Sequence, residues 1–205
     1  MNFSSKILEE AVTAMNTLPS IGKKTALRLV LHLAANDSQK IQRIVKALTL
    51  LDEKLQMCEK CHNYSDDRLC QICSDVSRNK RLVCVVSSPK DVMAIESTQQ
   101  YSGVYHVLGG VISPLEGIGP EDLRIDTLVA KVSEDEVEEI IMAISQTIEG
   151  DTTIFYISKL LEGKDAKIST IARGVSFGGE LEYADQLTLG RSIHSRIDYS
   201  NEVTL

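Results

Sequence analysis

The sequence has no tryptophan, only three phenylalanines and four prolines, and no long apolar run among its 205 residues. The longest uninterrupted apolar segments, Leu82–Val86 and Ile140–Ile144, are far shorter than the ~20 residues that a membrane-spanning helix requires. The N-terminal segment carries Glu9 and Glu10 and lacks the apolar stretch and cleavage site of a secretory signal. These absences predict a cytoplasmic protein without a membrane segment.

Aromatic side chains are also missing from the first part of the chain, since none lies between Phe3 and Tyr64. This segment therefore lacks platforms on which the bases of a single strand could stack. It is nevertheless basic: residues 1–50 carry seven basic and three acidic side chains, whereas residues 81–205 carry ten basic and twenty acidic ones, in a chain of net charge −7. This asymmetry indicates a polyanion-binding end, with solvated helix surface as the alternative.

Cysteine is scarce outside two close pairs. Cys58 with Cys61 and Cys70 with Cys73 form two Cys-x-x-Cys pairs. Thiols stay reduced in the cytoplasm, and four thiolates can surround one Zn²⁺ tetrahedrally. A site closed by four thiolates leaves no position for water or substrate, so we predict one structural zinc per chain, with redox pairing as the alternative. His62, beside Cys61, is an alternative ligand.

Apolar periodicity divides the chain into a helical part and an α/β part. Three helices are predicted before the cysteine pairs. Beyond residue 80, strands are predicted over 82–86, 104–108, 138–144 and 167–172, and helices over 89–99, 121–132, 151–162 and 184–196. Alternating strands and helices form parallel βαβ units, so the predicted fold class is α/β: an N-terminal helical hairpin, a small four-cysteine finger, a parallel sheet and a C-terminal helix.

The turn between the first two predicted helices carries the motif Leu18-Pro19-Ser20-Ile21-Gly22-Lys23-Lys24, which has the layout of a helix-hairpin-helix motif. Gly22 can adopt the positive φ that a tight turn needs. Lys23 and Lys24 open the next helix, where cations oppose the helix dipole unless an external anion offsets them. We predict sequence-nonspecific binding of the DNA backbone by Ile21, Gly22, Lys23, Lys24 and Arg28. The alternative is an ordinary αα-hairpin with exposed lysines.

Two carboxylates, Glu149 and Asp151, follow the strand predicted over 138–144. Active sites of open α/β sheets gather at the C-terminal edge of the strands. An acid-Gly-acid turn there can hold Mg²⁺ through carboxylate oxygens, and Asp91 is a third candidate ligand. The alternative places Asp151 at a helix N-cap and Glu149 in a solvated loop.

Further motifs follow one another along the chain: Val85–Val92, Tyr105–Gly110, Ser113–Pro120, Arg173-Gly174-Val175 and Gly178–Asp185. Together with the hairpin and the cysteine pairs, this ordered set resembles the RecR family of bacterial recombination mediators over nearly the whole chain. The resemblance implies a toprim domain in which Glu149 and Asp151 match the Asp-x-Asp pair. Family members commonly have glutamate where this chain has Ser87, and Asn-Pro where it has Ser145-Gln146. The first difference removes a carboxylate from the position of the toprim catalytic acid.

The resemblance also implies function and partners. Proteins similar to RecR have no known catalytic activity and assemble into ring-shaped tetramers that can encircle DNA. They act with RecO, and with RecF where it is present, to load RecA onto gapped DNA. We therefore expect a noncatalytic, nucleoid-associated DNA-binding mediator of recombinational repair, with no catalytic residue. A Mg²⁺-dependent toprim nuclease or primase-like enzyme is the alternative.

Four domains are expected: helix-hairpin-helix over 1–56, zinc finger over 57–79, toprim over 80–175 and a C-terminal oligomerisation segment over 176–205. In the last of these, Leu187, Leu189 and Ile193 either face another copy or belong to the domain's own core. His106 and His194 are predicted to be structural, because no cysteine or carboxylate constellation surrounds them.

Overall fold

The chain divides into two compact units, Met1–Gln56 and Met57–Leu205. In the computed structural model, residues 3–35, 38–134, 136–172, 174–175, 178 and 180–196 are described. Arg173 and Gly179, which carry part of the family resemblance, lie outside these residues. No helix in the described ranges is long and apolar enough to cross a membrane.

Three helices form the first unit, as the apolar periodicity predicts: α1 (Lys6–Asn16), α2 (Lys23–Ala35) and α3 (Ser38–Lys54). The side chain of Ser5 caps α1 by accepting a hydrogen bond from the Leu8 N–H at 3.4 Å. The first two helices pack around a small core of Val12, Ala26 and Val30. No side chain described in α3 is buried, so the apolar face of this helix remains exposed.

Short elements surround the cysteine pairs. They are the two-stranded sheet of β1 (Gln56–Met57) and β2 (Tyr64–Ser65), and the single-turn helix α4 (Gln71–Ser74). The sequence does not predict them, because elements of two to four residues are too short to have a periodicity.

Four strands form a parallel sheet at the centre of the second unit: β3 (Asn79–Val86), β4 (Gly103–Val107), β5 (Glu139–Ala143) and β6 (Lys167–Thr170). Their order across the sheet is β4-β3-β5-β6. Cys84 of β3 pairs with Tyr105 on one side and Ile141 on the other. Alternate side chains point to opposite faces of a strand. Val83 and Val85 accordingly belong to one buried cluster and Cys84 to another. The sheet therefore has an apolar layer on each face, as the α/β prediction requires.

The helices of this unit are α5 (Pro89–Ser97), α6 (Ile125–Glu134), α7 (Ile148–Leu160) and α8 (Gln186–His194). Two predicted beginnings are wrong. The helix predicted over 121–132 starts at Ile125, after a 3-10 turn over Pro120–Asp122. The helix predicted over 151–162 starts at Ile148, because the Thr147 side chain accepts the Gly150 N–H at 3.1 Å and caps it there.

Candidate metal centre and nucleic-acid interface

The four paired cysteines meet in one buried cluster. Their sulfur atoms all lie within 4.8 Å of one another, and the Sγ atoms of Cys61 and Cys70 are 3.5 Å apart. Sulfurs that surround zinc tetrahedrally at ~2.3 Å are about 3.8 Å apart, so the cluster fits a zinc site with four cysteine ligands. His62 is directed elsewhere, since its Nε2 lies 2.9 Å from the Thr127 hydroxyl.

Backbone hydrogen bonds shape the turn that contains the first cysteine pair. The His62 N–H donates to the Cys58 carbonyl at 2.9 Å, and the Cys58 N–H donates to the Asn63 carbonyl at 2.8 Å. His62 has a φ of 60°, which reverses the chain directly after Cys61. The Cys70 N–H then donates to the Cys58 sulfur at 3.3 Å. Such donors stabilise a thiolate, the form of cysteine that binds metal.

The sulfurs alter one another's protonation. Hydrogen bonds from Cys61 and Cys73 lower the pKa of Cys70. Hydrogen bonding to Cys70 raises the pKa of Cys61, because the shared proton stabilises one thiolate at the expense of the other. Zinc, when bound, supplies the positive charge that keeps all four sulfurs deprotonated. The cluster is therefore suited to a structural zinc.

The finger is attached to the sheet next to its first cysteine pair. The Val107 N–H donates to the Cys61 carbonyl at 2.8 Å, and the His62 and His106 rings meet edge-on at 5.2 Å. His106 is buried, and its Nε2 lies 2.8 Å from the Arg124 carbonyl oxygen. Burial lowers the pKa of His106 to about 3. The ring is thus neutral at physiological pH.

The turn between α1 and α2 differs from the expectation at one residue. Ser20 has a φ of 65°, so the prediction that Gly22 provides the positive φ is wrong. The helix-hairpin-helix motif usually has glycine at the position of Ser20. Glycine is the residue best suited to a positive φ. Gly22 instead directly precedes the second helix, and its carbonyl accepts the Ala26 N–H at 2.9 Å.

The residues predicted to bind DNA differ in exposure. Lys23, Lys24 and Arg28 are exposed, whereas Ile21 is half-buried and packs against the core of the first unit. Lys24 and Arg28 are four residues apart on α2 and therefore share a face. None of these three cations forms an ion pair with another described residue. Their charges are available to an anionic ligand.

Asp91 is held in a capping box at the start of α5. Its Oδ2 atom accepts hydrogen bonds from the Ser87 hydroxyl at 2.7 Å, the Ser88 N–H at 2.8 Å and the Ser88 hydroxyl at 3.0 Å. Ser87, whose position the family resemblance matches to a glutamate, thus donates to the Asp91 carboxylate. A glutamate at this position would place a second negative charge beside it.

Glu149 and Asp151 lie in the first turn of α7. The acid-Gly-acid turn is therefore a helical turn, and the alternative with Asp151 as N-cap is wrong because Thr147 has that role. Gly150 allows the helix to approach the end of β5 closely, since a Cβ atom here would collide with the Ser145 carbonyl oxygen.

Asp151 also faces a cation of this chain. The Arg191 guanidinium on α8 lies 3.9 Å from the Asp151 carboxylate. Sequence reasoning missed Arg191, because no motif connects the last helix with the acidic pair. Throughout the described ranges, the four cysteines are the only set of three or more ligand side chains whose donor atoms lie within 4.8 Å of one another. The geometry therefore gives no support to Mg²⁺ binding by Asp91, Glu149 and Asp151.

Four family models match successive parts of the chain. They are the RecR helix-hairpin-helix model for residues 8–51, the RecR four-cysteine zinc finger domain model for 55–75, the Toprim domain model for 81–172 and the RecR C-terminal model for 174–197.

Full-length relatives give the same result. The chain is 56% identical over 197 residues to a "Recombination protein RecR" of Cytophaga hutchinsonii, with 96% of each chain covered. It is 54% identical to the protein of the same name from Amoebophilus asiaticus, with 97% of this chain and 100% of the relative covered. The RecR protein of Phocaeicola vulgatus is also 54% identical, with 95% of each chain covered.

Proposed function

The chain belongs to the RecR family of recombination proteins, and we propose that it is a noncatalytic, DNA-binding mediator of recombinational repair. It acts in the cytoplasm at the nucleoid, where it helps to load RecA onto gapped DNA together with RecO, and with RecF where present. The observation that carries the proposal is the group of exposed cations, Lys23, Lys24 and Arg28, which have no ion-pair partner among the described residues.

The DNA contact is a backbone contact. Lysine and arginine side chains at the start of a helix add their charge to N–H groups that favour phosphate. Ile21 and Gly22 shape the turn that presents these groups, because Ile21 packs inward and the Gly22 carbonyl accepts the first hydrogen bond of α2. Such binding has no sequence preference and weakens steeply with salt as counterions are released.

The acidic residues of the toprim domain serve partner contacts in this proposal. Asp91 is engaged by two serines, and Asp151 faces Arg191. Two-metal phosphoryl transfer needs a set of carboxylates that converge on the ions. Glu149 and Asp151 are exchangeable contacts for a basic surface of RecO, whereas the zinc of Cys58, Cys61, Cys70 and Cys73 is purely structural.

Assembly of several copies into a ring is supported by apolar surface in both units. The helices of the first unit line a cavity of about 670 Å³ that is open to solvent. Its lining includes Ile7, Leu8, Met15, Ile41, Val45 and Leu48. Val45 and Leu48 are 57% and 58% exposed, and Leu187 and Ile193 of α8 are 72% and 61% exposed. Contiguous apolar surface of this kind is typical of protein interfaces. We assign both surfaces to contacts between copies of this chain.

The test is a titration of labelled gapped DNA with Mg²⁺ present, at several salt concentrations, with binding and strand integrity scored in the same samples. We expect salt-sensitive binding by the wild type, weaker binding by Lys23→Ala/Lys24→Ala, and intact strands throughout. Lys90→Ala/Lys164→Ala, which removes two exposed charges from the second unit, is the matched control and should bind as the wild type does.

Two outcomes would contradict the proposal. Mg²⁺-dependent strand cleavage that Glu149→Ala abolishes would make the protein a toprim enzyme. Equally weakened binding in the lysine variant and in its control would mean that the hairpin is not the DNA contact. A second measurement adds RecO to the complex of this protein with gapped DNA. We expect Glu149→Ala to weaken the binding of RecO to that complex without changing the affinity of the protein for DNA.

A further inference from the structure

A second group of basic side chains lies in the second unit, between the zinc finger and the sheet. A cavity of about 210 Å³ is lined by Cys73, Glu136 and four basic residues. These are Lys60, which lies between the two cysteines of the first pair, Lys80 and Arg81 of β3, and Lys131 of α6. The volume accommodates several water molecules or one hydrated phosphate group. Four cations in one cavity are notable because residues 57–205, which form the second unit, carry 14 basic and 24 acidic side chains.

The charges in this cavity are only partly neutralised. Arg81 lies 2.8 Å from the Glu138 carboxylate and 3.7 Å from that of Glu136. The Lys131 ammonium donates to the Tyr105 carbonyl at 3.3 Å, which is a neutral partner. Lys60 and Lys80 have no ion pair with a described residue. Among the described residues, the three lysine charges are therefore not paired with a carboxylate.

We propose that this cavity binds a phosphate group of the DNA backbone, as a second contact separate from the hairpin. The proposal rests on the DNA-binding function proposed above. Lysine ammonium groups are compact, strongly charged donors that suit single phosphate oxygens. Because Lys60 lies in a turn of the finger, Lys80 on β3 and Lys131 on α6, only the folded finger on the folded sheet presents them together. The structural zinc would thereby also organise a DNA contact.

A competing explanation is that the lysines neutralise the zinc site itself. Zinc bound by four thiolates has a net charge of −2, and Cys73 lines the same cavity. This explanation predicts that removal of Lys60 and Lys80 weakens zinc binding. The phosphate explanation predicts that zinc content is unchanged and that DNA binding falls.

The experiment compares Lys60→Ala/Lys80→Ala with the wild type and with Lys90→Ala/Lys164→Ala, which removes the same charge outside the cavity. Anisotropy of labelled duplex DNA is measured over a series of KCl concentrations, with zinc content and melting temperature measured on each protein. We expect the slope of log affinity against log salt to fall in magnitude by about 0.9 for each phosphate that the variant no longer neutralises. The control should keep the wild-type slope.

The other outcomes are distinct. If the wild type does not bind DNA, the proposed function fails and this inference fails with it. If the wild type binds and the cavity variant keeps its slope, or the control changes as much, only this inference is overturned. Release of zinc from the cavity variant would assign the lysines to the metal site. Equilibrium dialysis with ATP tests the remaining source of phosphate: ATP binding that is abolished in the cavity variant, with DNA binding unchanged, would overturn the DNA assignment.

Discussion

Ser20 determines the shape of the hairpin turn through its backbone alone. Its φ of 65° lies in the left-handed region, which costs a residue with a Cβ atom roughly 1–2 kcal/mol. Glycine adopts this conformation without steric cost but loses more entropy on folding.

We therefore expect Ser20→Gly to raise the free energy of unfolding by about 0.5–1 kcal/mol. Urea denaturation followed by circular dichroism measures the change. Gly22→Ala serves as the comparison, because a Cβ atom at Gly22 meets nothing within 4 Å and its φ is not positive. A destabilised Ser20→Gly protein would contradict this account of the turn.

Glu96 is the centre of a polar network between α5 and the sheet. Its carboxylate pairs with Arg78 and accepts the Tyr105 hydroxyl at 2.7 Å, and Arg78 also donates to the Tyr101 carbonyl at 3.2 Å. Hydrogen bonding from Arg78 lowers the pKa of Glu96 from its ordinary value of 4.5. The folded state thus binds fewer protons than the unfolded state as the pH approaches this value.

A lowered pKa gives stability that is present above the ordinary pKa of the carboxyl group and is lost as the pH falls through the folded-state value. We expect Glu96→Gln to cost about 2 kcal/mol between pH 6 and 8, and the difference from wild type to shrink below about pH 4.5. Thermal unfolding across this pH range measures it. Glu162→Gln, which breaks the exposed pair with Lys159, is the control and should leave the free energy of unfolding almost unchanged at any pH. If Glu96→Gln lowered the free energy of unfolding equally at every pH, the link between Glu96 protonation and stability would be refuted.

Sequence reasoning identified the four clustered cysteines, because two Cys-x-x-Cys pairs at short separation are typical of a zinc finger. It failed at Ser20, because a single φ depends on how the two helices close and not on which residue tolerates the angle best. It also missed the Arg78 and Glu96 pair, because Arg78 directly precedes β3 and Glu96 lies on α5. They meet only when α5 packs on the sheet, and no local pattern encodes that packing.

At the scale of elements, we expect the finger to depend on a bound metal more than on packing. Its regular structure consists of β1, β2 and one turn of helix, which cannot bury enough apolar surface to be stable alone. The contact of Cys61 with Val107 attaches it to β4, and that of His62 with Thr127 attaches it to α6.

We expect Cys61→Ser to release the zinc and lower the melting temperature, because zinc binding and folding of such fingers are coupled. Metal released into a colorimetric chelator and a thermal scan measure the two effects. Cys84→Ala is the control: the Cys84 thiol is equally buried but lies outside the cluster, so the zinc should be retained. A Cys61→Ser protein that still holds one zinc per chain would mean that another residue completes the site.

The ends of helices were predictable where the capping residue and the apolar periodicity indicated the same position. Pro89 begins α5 as its sequence indicates. The start of α7 was misplaced because Thr147 and Asp151 are both good caps in sequence, and only the end of β5 decides between them. The parallel direction of the strands followed from the alternation of strands and helices, since parallel strands need long crossover connections. Their order across the sheet, β4-β3-β5-β6, was not predicted.

On the scale of the whole molecule, α3 has an apolar face that no described part of its own unit covers. Ile41, Ile44, Val45 and Leu48 are all at least 38% exposed. This face of α3 is too apolar for a helix surface that faces only water. In the proposed ring, a second copy of the chain covers it.

We expect Val45→Glu/Leu48→Glu to lower the molar mass of the assembly, because two charges would be buried in the interface. Light scattering after gel filtration measures the mass, and circular dichroism checks the helices. Gln42→Glu/Thr49→Glu adds the same charge to α3 outside the cavity lining and should leave the mass unchanged. An unaltered mass in the first variant would assign the α3 surface to another partner.

The strand order of the sheet also sets the sequence of events on the ribosome. Strand β3, with its apolar run Leu82–Val86, leaves the exit tunnel before either of its neighbours, and its second partner begins only at Glu139. At a synthesis rate of about 5–20 residues per second, the nascent chain exposes one open edge of β3 for roughly 3–11 seconds. During this interval the unpaired edge of β3 is open to pairing with another chain, which the finished sheet prevents by covering both of its edges.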